Sequence, residues 1–208
     1  MPKVLICVPT YENITPDTFK ALWDMDKPCE CDFEFVRGYD VATARNNCVK
    51  LFMAGPYTHL MMVDNDVTPP KDALTNLLSH HKMVVSGYYA HRDKDNVYSG
   101  RTCVCKRFKD DSTPFFGYPL ESEYTGDEIA AMDGLTEIHG GGMGCILIDI
   151  AAIVKLQYPY FAWVNYAMGG SLSEDLYFCE KLHAEDIPIY VDPRVACGHM
   201  LRHIQMPT

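Results

Sequence analysis

A chain of 208 residues is long enough to close one sizeable α/β domain around a real core and short for two. Its 48% hydrophobic and 22% charged residues make an ordinary globular composition, and no stretch approaches the roughly 18 uninterrupted apolar residues of a membrane span. Against 28 Asp and Glu stand 18 Lys and Arg, a formal charge of −10 that works against a broad phosphate-tracking surface and hence against a dedicated nucleic-acid binder.

The opening MPKVLICVPTY reads as a strand rather than a signal peptide, so a cytoplasmic setting is expected. From Lys3 the apolar run is continuous up to Pro9, the pattern of a strand buried on both faces. Thr15 and Pro16 then look like the N-cap and first position of a helix. DFEFVRGYD alternates as a second strand ending at Gly38, and VATARNNCVKLFMAG carries helical spacing from Val41 to a C-terminal glycine, Gly55. THLMMVD is a third strand, PPKDALTNLLSHH the next helix and KMVVSGYYA the next strand. Lys3 to Ala90 thus reads β-α-β-α-β-α-β, which predicts a doubly wound, mostly parallel sheet flanked by helices.

The stretch from His91 to Glu137 is rich in Asp, Lys, Ser, Tyr and Pro and weak in periodicity. It reads as one long excursion with a hairpin in VYSGRTCVCKRF, and such segments in compact domains often serve as lids or binding loops. Order returns with GGGMGCILIDIAAIVKL, a glycine-rich turn, a strand and a helix; a helix over Asp175 to His183 and a strand near Ile189 follow. A single domain over residues 1–208 is expected, with the excursion at 93–136 separating the parts 1–92 and 137–208.

Nine cysteines without an export signal argue for reduced thiols. Cys29 with Cys31 and Cys103 with Cys105 are spaced C-x-C, so four thiolates could hold a structural zinc; small buried hydrophobes are the alternative. Lys106, Arg107 and Lys109 form the tight basic cluster, with Asp110 and Asp111 directly behind.

In HLMMVDNDVTPP, Asp64 and Asp66 stand at the end of an apolar run. Residues i and i+2 of a strand face alike, so both carboxylates would share one side, at the strand end where doubly wound sheets bind ligands. Two like charges that close repel unless a cation or donor array neutralises them, and hard oxygens suit Mg²⁺ or Mn²⁺. Asp-x-Asp also occurs as a turn or helix cap. Glu174 and Asp175 open a helix, where acids are favoured by the macrodipole alone, and His199 follows a strand, where a structural histidine would also fit.

Taken together, Val8 to Glu12 (VPTYE), Ala44 to Asn46 (ARN), Val63 to Val67 (VDNDV), Gly140 to Ile148 (GGGMGCILI), Ser173 to Leu182 (SEDLYFCEKL) and Val191 to His199 (VDPRVACGH) resemble the GT-A glycosyltransferases. The likeness is to the compact family-2-like members of bacteria and phages. It spans nearly the whole chain outside the excursion, and implies a GT-A, Rossmann-like fold with a nucleotide-binding half at 1–92 and an acceptor and catalytic half at 137–208. It further implies transfer of a sugar from a nucleoside-diphosphate sugar to a hydroxyl acceptor with Mn²⁺ or Mg²⁺, in the cytoplasm of a bacterium or an infected host cell. Residue by residue, Asp66 would bind the ion, Asp64 would hold the donor ribose or complete the metal shell, and His199 would be the third protein ligand. Pro9, Thr10, Tyr11, Glu12 and Asn65 would line the nucleotide, and Arg45 would reach toward it or its phosphates. Gly140, Gly141, Gly142 and Met143 would lie along sugar and acceptor. Asp175 resembles the general base, with Glu174 a sugar-binding neighbour. Many members carry a paired aspartate after the second strand to read uracil; here only Asp40 is available, which leaves UDP expected but not secured.

The aromatic segment Tyr158 to Gly170 would help choose the acceptor, with Trp163 and Tyr166 as contacts and Tyr158 and Phe161 as packing. A sharper subtype would be a phage-type enzyme acting on hydroxymethylated pyrimidines in DNA, using Arg92, Arg101 and the cluster from Lys106 to Lys109. A nucleotidyltransferase would carry a basic, glycine-rich loop after the first strand, and PTYENITPD has no Lys, Arg or Gly. A non-enzymatic binding module would leave Asp64, Asp66, Asp175 and His199 without a common purpose.

Overall fold

The structure is a computed structural model that describes residues 1–11, 13–92, 98–106, 123–165 and 171–200. In chain order, β1 (Lys3–Thr10), α1 (Pro16–Asp24), β2 (Glu30–Arg37), α2 (Val41–Ala54), β3 (His59–Val63), β4 (Val67–Thr68), α3 (Ala73–Ser79) and β5 (Val84–Arg92) form the first half. Next come β6 (Tyr98–Cys105), β7 (Glu123–Thr125), α4 (Gly126–Ala130) and β8 (Thr136–Ile138). The rest is β9 (Gly140–Gly141), β10 (Cys145–Asp149), α5 (Ile150–Ile153), β11 (Val164–Asn165), β12 (Ser171–Leu172), α6 (Glu174–Ala184) and β13 (Ile189–His199).

Local chemistry explains many of these boundaries. Thr15 caps α1 by accepting the Thr18 amide at 3.2 Å, with Pro16 at the first helical position. Asp40 does the same for α2, taking the Thr43 amide at 2.8 Å and the Thr43 hydroxyl at 2.9 Å. Gly55 ends α2 as the sequence suggests, yet its φ of −107° is open to any residue. What requires glycine there is space: a Cβ would lie 2.2 Å from the Tyr57 ring.

The main sheet runs β2-β1-β3-β10-β5-β13-β4, and β6, β7, β8 and β9 extend it away from that path. The α/β expectation holds, but the sheet is mixed. β1 pairs in parallel with β2 and β3, and β13 with β5, whereas β10 is inserted antiparallel between β3 and β5. The hairpin expected in the excursion is instead one strand, β6, antiparallel to β5, β7 and β9. Gly100 does not turn the chain back; its φ of +78° sits where the β5–β6 register shifts, an irregularity that favours glycine.

Val4 through Val8 of β1 and Leu60 through Val63 of β3 are at most 1% exposed, with α2 packed against both strands. Burial of each such side chain contributes about 1.5–3 kcal/mol, which makes this half of the sheet a stiff base for whatever stands at its edge. Among the described residues no helix is long and apolar enough to cross a membrane.

Candidate active site

Beyond the carboxyl ends of β1 and β3 lies a cleft of about 360 Å³. Pro9, Thr10, Tyr11, Asp64, Asn65 and Asp66 line one part of it, and Gly38, Tyr39, Asp40, Val41 and Ala44 the other. Five residues expected at the donor nucleotide, Pro9, Thr10, Tyr11, Asp64 and Asn65, are thus gathered here; Glu12 lies outside the described residues. Tyr39, which the sequence reading passed over, is 94% exposed and lends the cleft an uncovered ring, with Tyr11 at 67%. The backbone and hydroxyl of Thr43 hold the Asp40 carboxyl below the usual range, so the one acid after β2 remains ionised as a helix cap.

Asp64 and Asp66 line the same cleft, but not by strand alternation. β3 ends at Val63, and the Val67 amide donates to the Asp64 carbonyl at 3.1 Å, which makes Asp64 to Val67 a β-turn. The turn is tied down on two sides. Asn65 Nδ2 donates to the Asn13 carbonyl at 2.5 Å and the Thr15 amide to the Asn65 carbonyl at 2.9 Å; the Asp64 amide donates to the Gly144 carbonyl at 3.0 Å.

Arg45 does not reach into the cleft. Only 3% exposed, it donates from Nη2 to both Asp64 oxygens at 3.0 and 3.1 Å and from Nη1 to Glu174. Burial works against its charge, yet Asp64, Glu174 and Asp175 outweigh it and raise the guanidinium above its ordinary range. Burial likewise drives the Glu174 carboxyl up to about 7, with Asp175 and Asp64 adding to the rise and Arg45 opposing it. One cation faces three carboxylates, and the proton that relieves the surplus charge is held by the most enclosed of them, Glu174.

Asp66 and His199 meet as the sequence suggests. β4 and β13 pair His199 with Val67, one residue past Asp66, and bring His199 Nε2 within 3.7 Å of Asp66 Oδ1. His199 Nδ1 lies 2.7 Å from the Ala90 carbonyl and donates to it, which turns Nε2 toward Asp66. Of the expected metal trio, two are side by side while Asp64 is engaged with Arg45.

A buried phenol, absent from the sequence reading, organises the space between these groups. Tyr89 packs edge-on against His199 at 5.1 Å between centroids, and its hydroxyl accepts the Gly144 amide at 3.1 Å. Burial pushes its hydroxyl well above the ordinary range, so it stays protonated. This ring also explains the glycines. A Cβ on Gly142 would sit 2.1 Å from Tyr89 Oη and one on Gly144 2.8 Å from the ring; one on Gly140 would meet Cys179 Sγ of α6 at 3.1 Å and one on Gly141 the Cys103 carbonyl at 3.2 Å. At Gly142 and Gly144 the close approach that requires glycine is therefore to the protein itself. Met143, expected along the acceptor, is 1% exposed and part of the core.

At the start of α6, Asp175 Oδ1 accepts from the Ser173 hydroxyl and, at 2.8 Å, from the Leu176 amide. Trp163 is 53% exposed ahead of β11, and Tyr158 is also exposed at 63%, whereas Phe161 is core; Tyr166 lies outside the described residues. Asn46 of ARN is a brace, donating to the Ala42 and Phe161 carbonyls and accepting the Tyr160 and Phe161 amides. The C-x-C cysteines join no metal-holding cluster among the described residues: Cys103 and Cys105 are buried in β6, and Cys29, just before β2, and Cys31, within it, are partly buried.

This fold occurs in a solved structure. The crystal structure of A197 from STIV matches over 96% of this chain and 86% of its own, with a TM-score of 0.60 at 20% sequence identity. At that identity the likeness shows a shared fold. No family model matches the chain, and no curated protein matches it in sequence.

Proposed function

We propose that this protein is a metal-dependent glycosyltransferase of the GT-A type that moves a sugar from a nucleoside-diphosphate sugar, UDP foremost, to a hydroxyl acceptor. The observation that carries this reading is the meeting of Asp66 and His199, 133 residues apart in the chain, at the rim of a nucleotide-sized cleft. Their oxygen and nitrogen ligands fit Mn²⁺ or Mg²⁺: a ligand separation of 3.7 Å suits a shared ion, and a backbone carbonyl already orients the imidazole.

In this reading Pro9, Thr10, Tyr11 and Asn65 line the nucleoside, with the exposed ring of Tyr39 beside Asp40 across the cleft. Asp66 and His199 hold the ion, and Asp64, held by Arg45, presents its remaining lone pairs to the ribose or to the metal's outer shell. A bound divalent cation supplies Lewis-acid stabilisation for the charge that develops on the departing diphosphate. Asp175 takes the proton of the acceptor hydroxyl as that oxygen bonds to the anomeric carbon and the anomeric carbon–phosphate oxygen bond breaks. Glu174 positions Arg45 rather than touching sugar. For the acceptor, a small molecule or glycan is favoured over DNA, because Lys106, the described member of the basic cluster, is paired with Glu128 at 2.7 Å.

A thermal-shift screen of UDP-, GDP- and TDP-sugars with and without Mn²⁺ tests the reading. Binding to the native state raises the melting temperature, and a shift that needs both nucleotide sugar and metal is expected. No shift with any donor in the presence of Mn²⁺ would refute it.

A further inference from the structure

At the other end of α6 the chain builds a second cluster that the donor cleft does not use. A ring nitrogen of His139, a ring nitrogen of His183 and a carboxylate oxygen of Glu180 all lie within 4.8 Å of one another, and each residue is partly buried. Glu180 and His183 are three apart on one face of the helix. His139 comes from the junction of β8 and β9, where Gly140 lets the strand lie close to α6: a Cβ there would stand 3.1 Å from the Cys179 sulfur.

The details match a metal site more closely than an incidental ion pair. His139 Nε2 stands 3.5 Å from Glu180 Oε1. Ligand atoms on neighbouring corners of a tetrahedral zinc site are separated by about 3.4 Å, given metal–ligand bonds near 2.0–2.1 Å. The imidazoles stack at 4.7 Å between centroids with an interplanar angle of 28°. His183 Nε2 is 2.6 Å from the His139 carbonyl, a backbone contact that orients the ring as for many metal-bound histidines.

We propose that His139, Glu180 and His183 bind a zinc-class divalent ion, with water in the fourth position. Two imidazoles and one carboxylate suit such a borderline ion better than Mg²⁺ or Ca²⁺, which prefer oxygen. Along α6, Glu174 lies nine residues before His183, about 13–14 Å away at 1.5 Å per residue, so this centre is separate from the donor cleft. The ion would pin the C-terminal half of α6 to the strand that leads into the glycine turn. Both structures that frame Glu174 and Asp64 would then be fastened from outside the cleft.

The test uses the full chain carrying Asp66→Ala, which removes the proposed donor-site ligand, stripped of metal and titrated with Co²⁺. A single equivalent should bind with the visible absorption of nitrogen and oxygen ligation and without a sulfur-to-cobalt charge-transfer band. Zn²⁺ should displace it and raise the melting temperature. Adding Glu180→Gln or His183→Gln should weaken binding at least about tenfold, since loss of a direct ligand should cost no less than loss of an outer-sphere partner. Glu180→Gln preserves the size of a partly exposed residue and so keeps the fold. No binding of either ion, a thiolate band, or affinity unchanged by both substitutions would overturn the proposal.

Discussion

Arg45 carries the electrostatics of the cleft floor. Its guanidinium is shared between Asp64 and Glu174, with Asp175 close enough to contribute, so removal would leave carboxylates enclosed without a counter-charge. Because burial disfavours its charged form, with Asp175 and Asp64 adding to the effect against Arg45, Glu174 holds its proton more tightly in the folded chain, near pH 7, than in the unfolded chain, near 4.5. Its protonation therefore favours the fold fully below pH 4.5, and that contribution is lost as pH rises through 7. Glu174→Gln, neutral throughout, lacks this dependence. The wild type should lose on the order of 2–3 kcal/mol relative to the variant across that window, measured by urea unfolding at a series of pH values. A constant difference between the two would contradict the assignment. Little of this was legible in the residues: Arg45 reads as a ligand-facing cation and Glu174 as an acid favoured by a helix start. Their contact joins positions 129 residues apart.

At the scale of elements, the inserted strand β10 matters most. Running antiparallel between β3 and β5, it starts where β3 ends, which sets the glycine turn against Asp64 through the bond from the Asp64 amide to the Gly144 carbonyl. Periodicity exposed β10 as a strand, and composition exposed the turn. Neither carries the direction in which a strand pairs, so the mixed sheet could not be read from local pattern. Nor could Tyr89 be singled out within SGYYA, since its burial depends on glycines that follow 53 and 55 residues later. The caps were legible because they are local: Thr15 with Pro16, and Asp40 with Thr43. The packing makes a sharp prediction. Gly142→Ala should destabilise the chain by about 1–3 kcal/mol through overpacking against the Tyr89 hydroxyl, 2.1 Å from the added carbon. Tyr89→Phe removes that oxygen, and in a double-mutant cycle the pair should cost less than the sum of the single changes. Strict additivity in urea denaturation would show that the two positions do not press on each other.

Across the whole molecule, the pairing of β13 with β5 and β4 carries the C-terminal histidine back to a turn built in the first third of the chain. The order of motifs already suggested that meeting; the route, through a short antiparallel bridge of His199 to Val67, came only with the fold. The net charge of −10 sharpens the demand for a cation, because a diphosphate would otherwise approach Asp64 and Asp66 against their field. Isothermal titration of UDP and UDP-sugars into the wild type, Asp66→Ala and His199→Ala, each with and without Mn²⁺, tests this most directly. Metal-dependent binding to the wild type that disappears in both folded variants is the result expected. Binding that persists unchanged in both, or that needs no metal in any of the three, would contradict a cation held between Asp66 and His199.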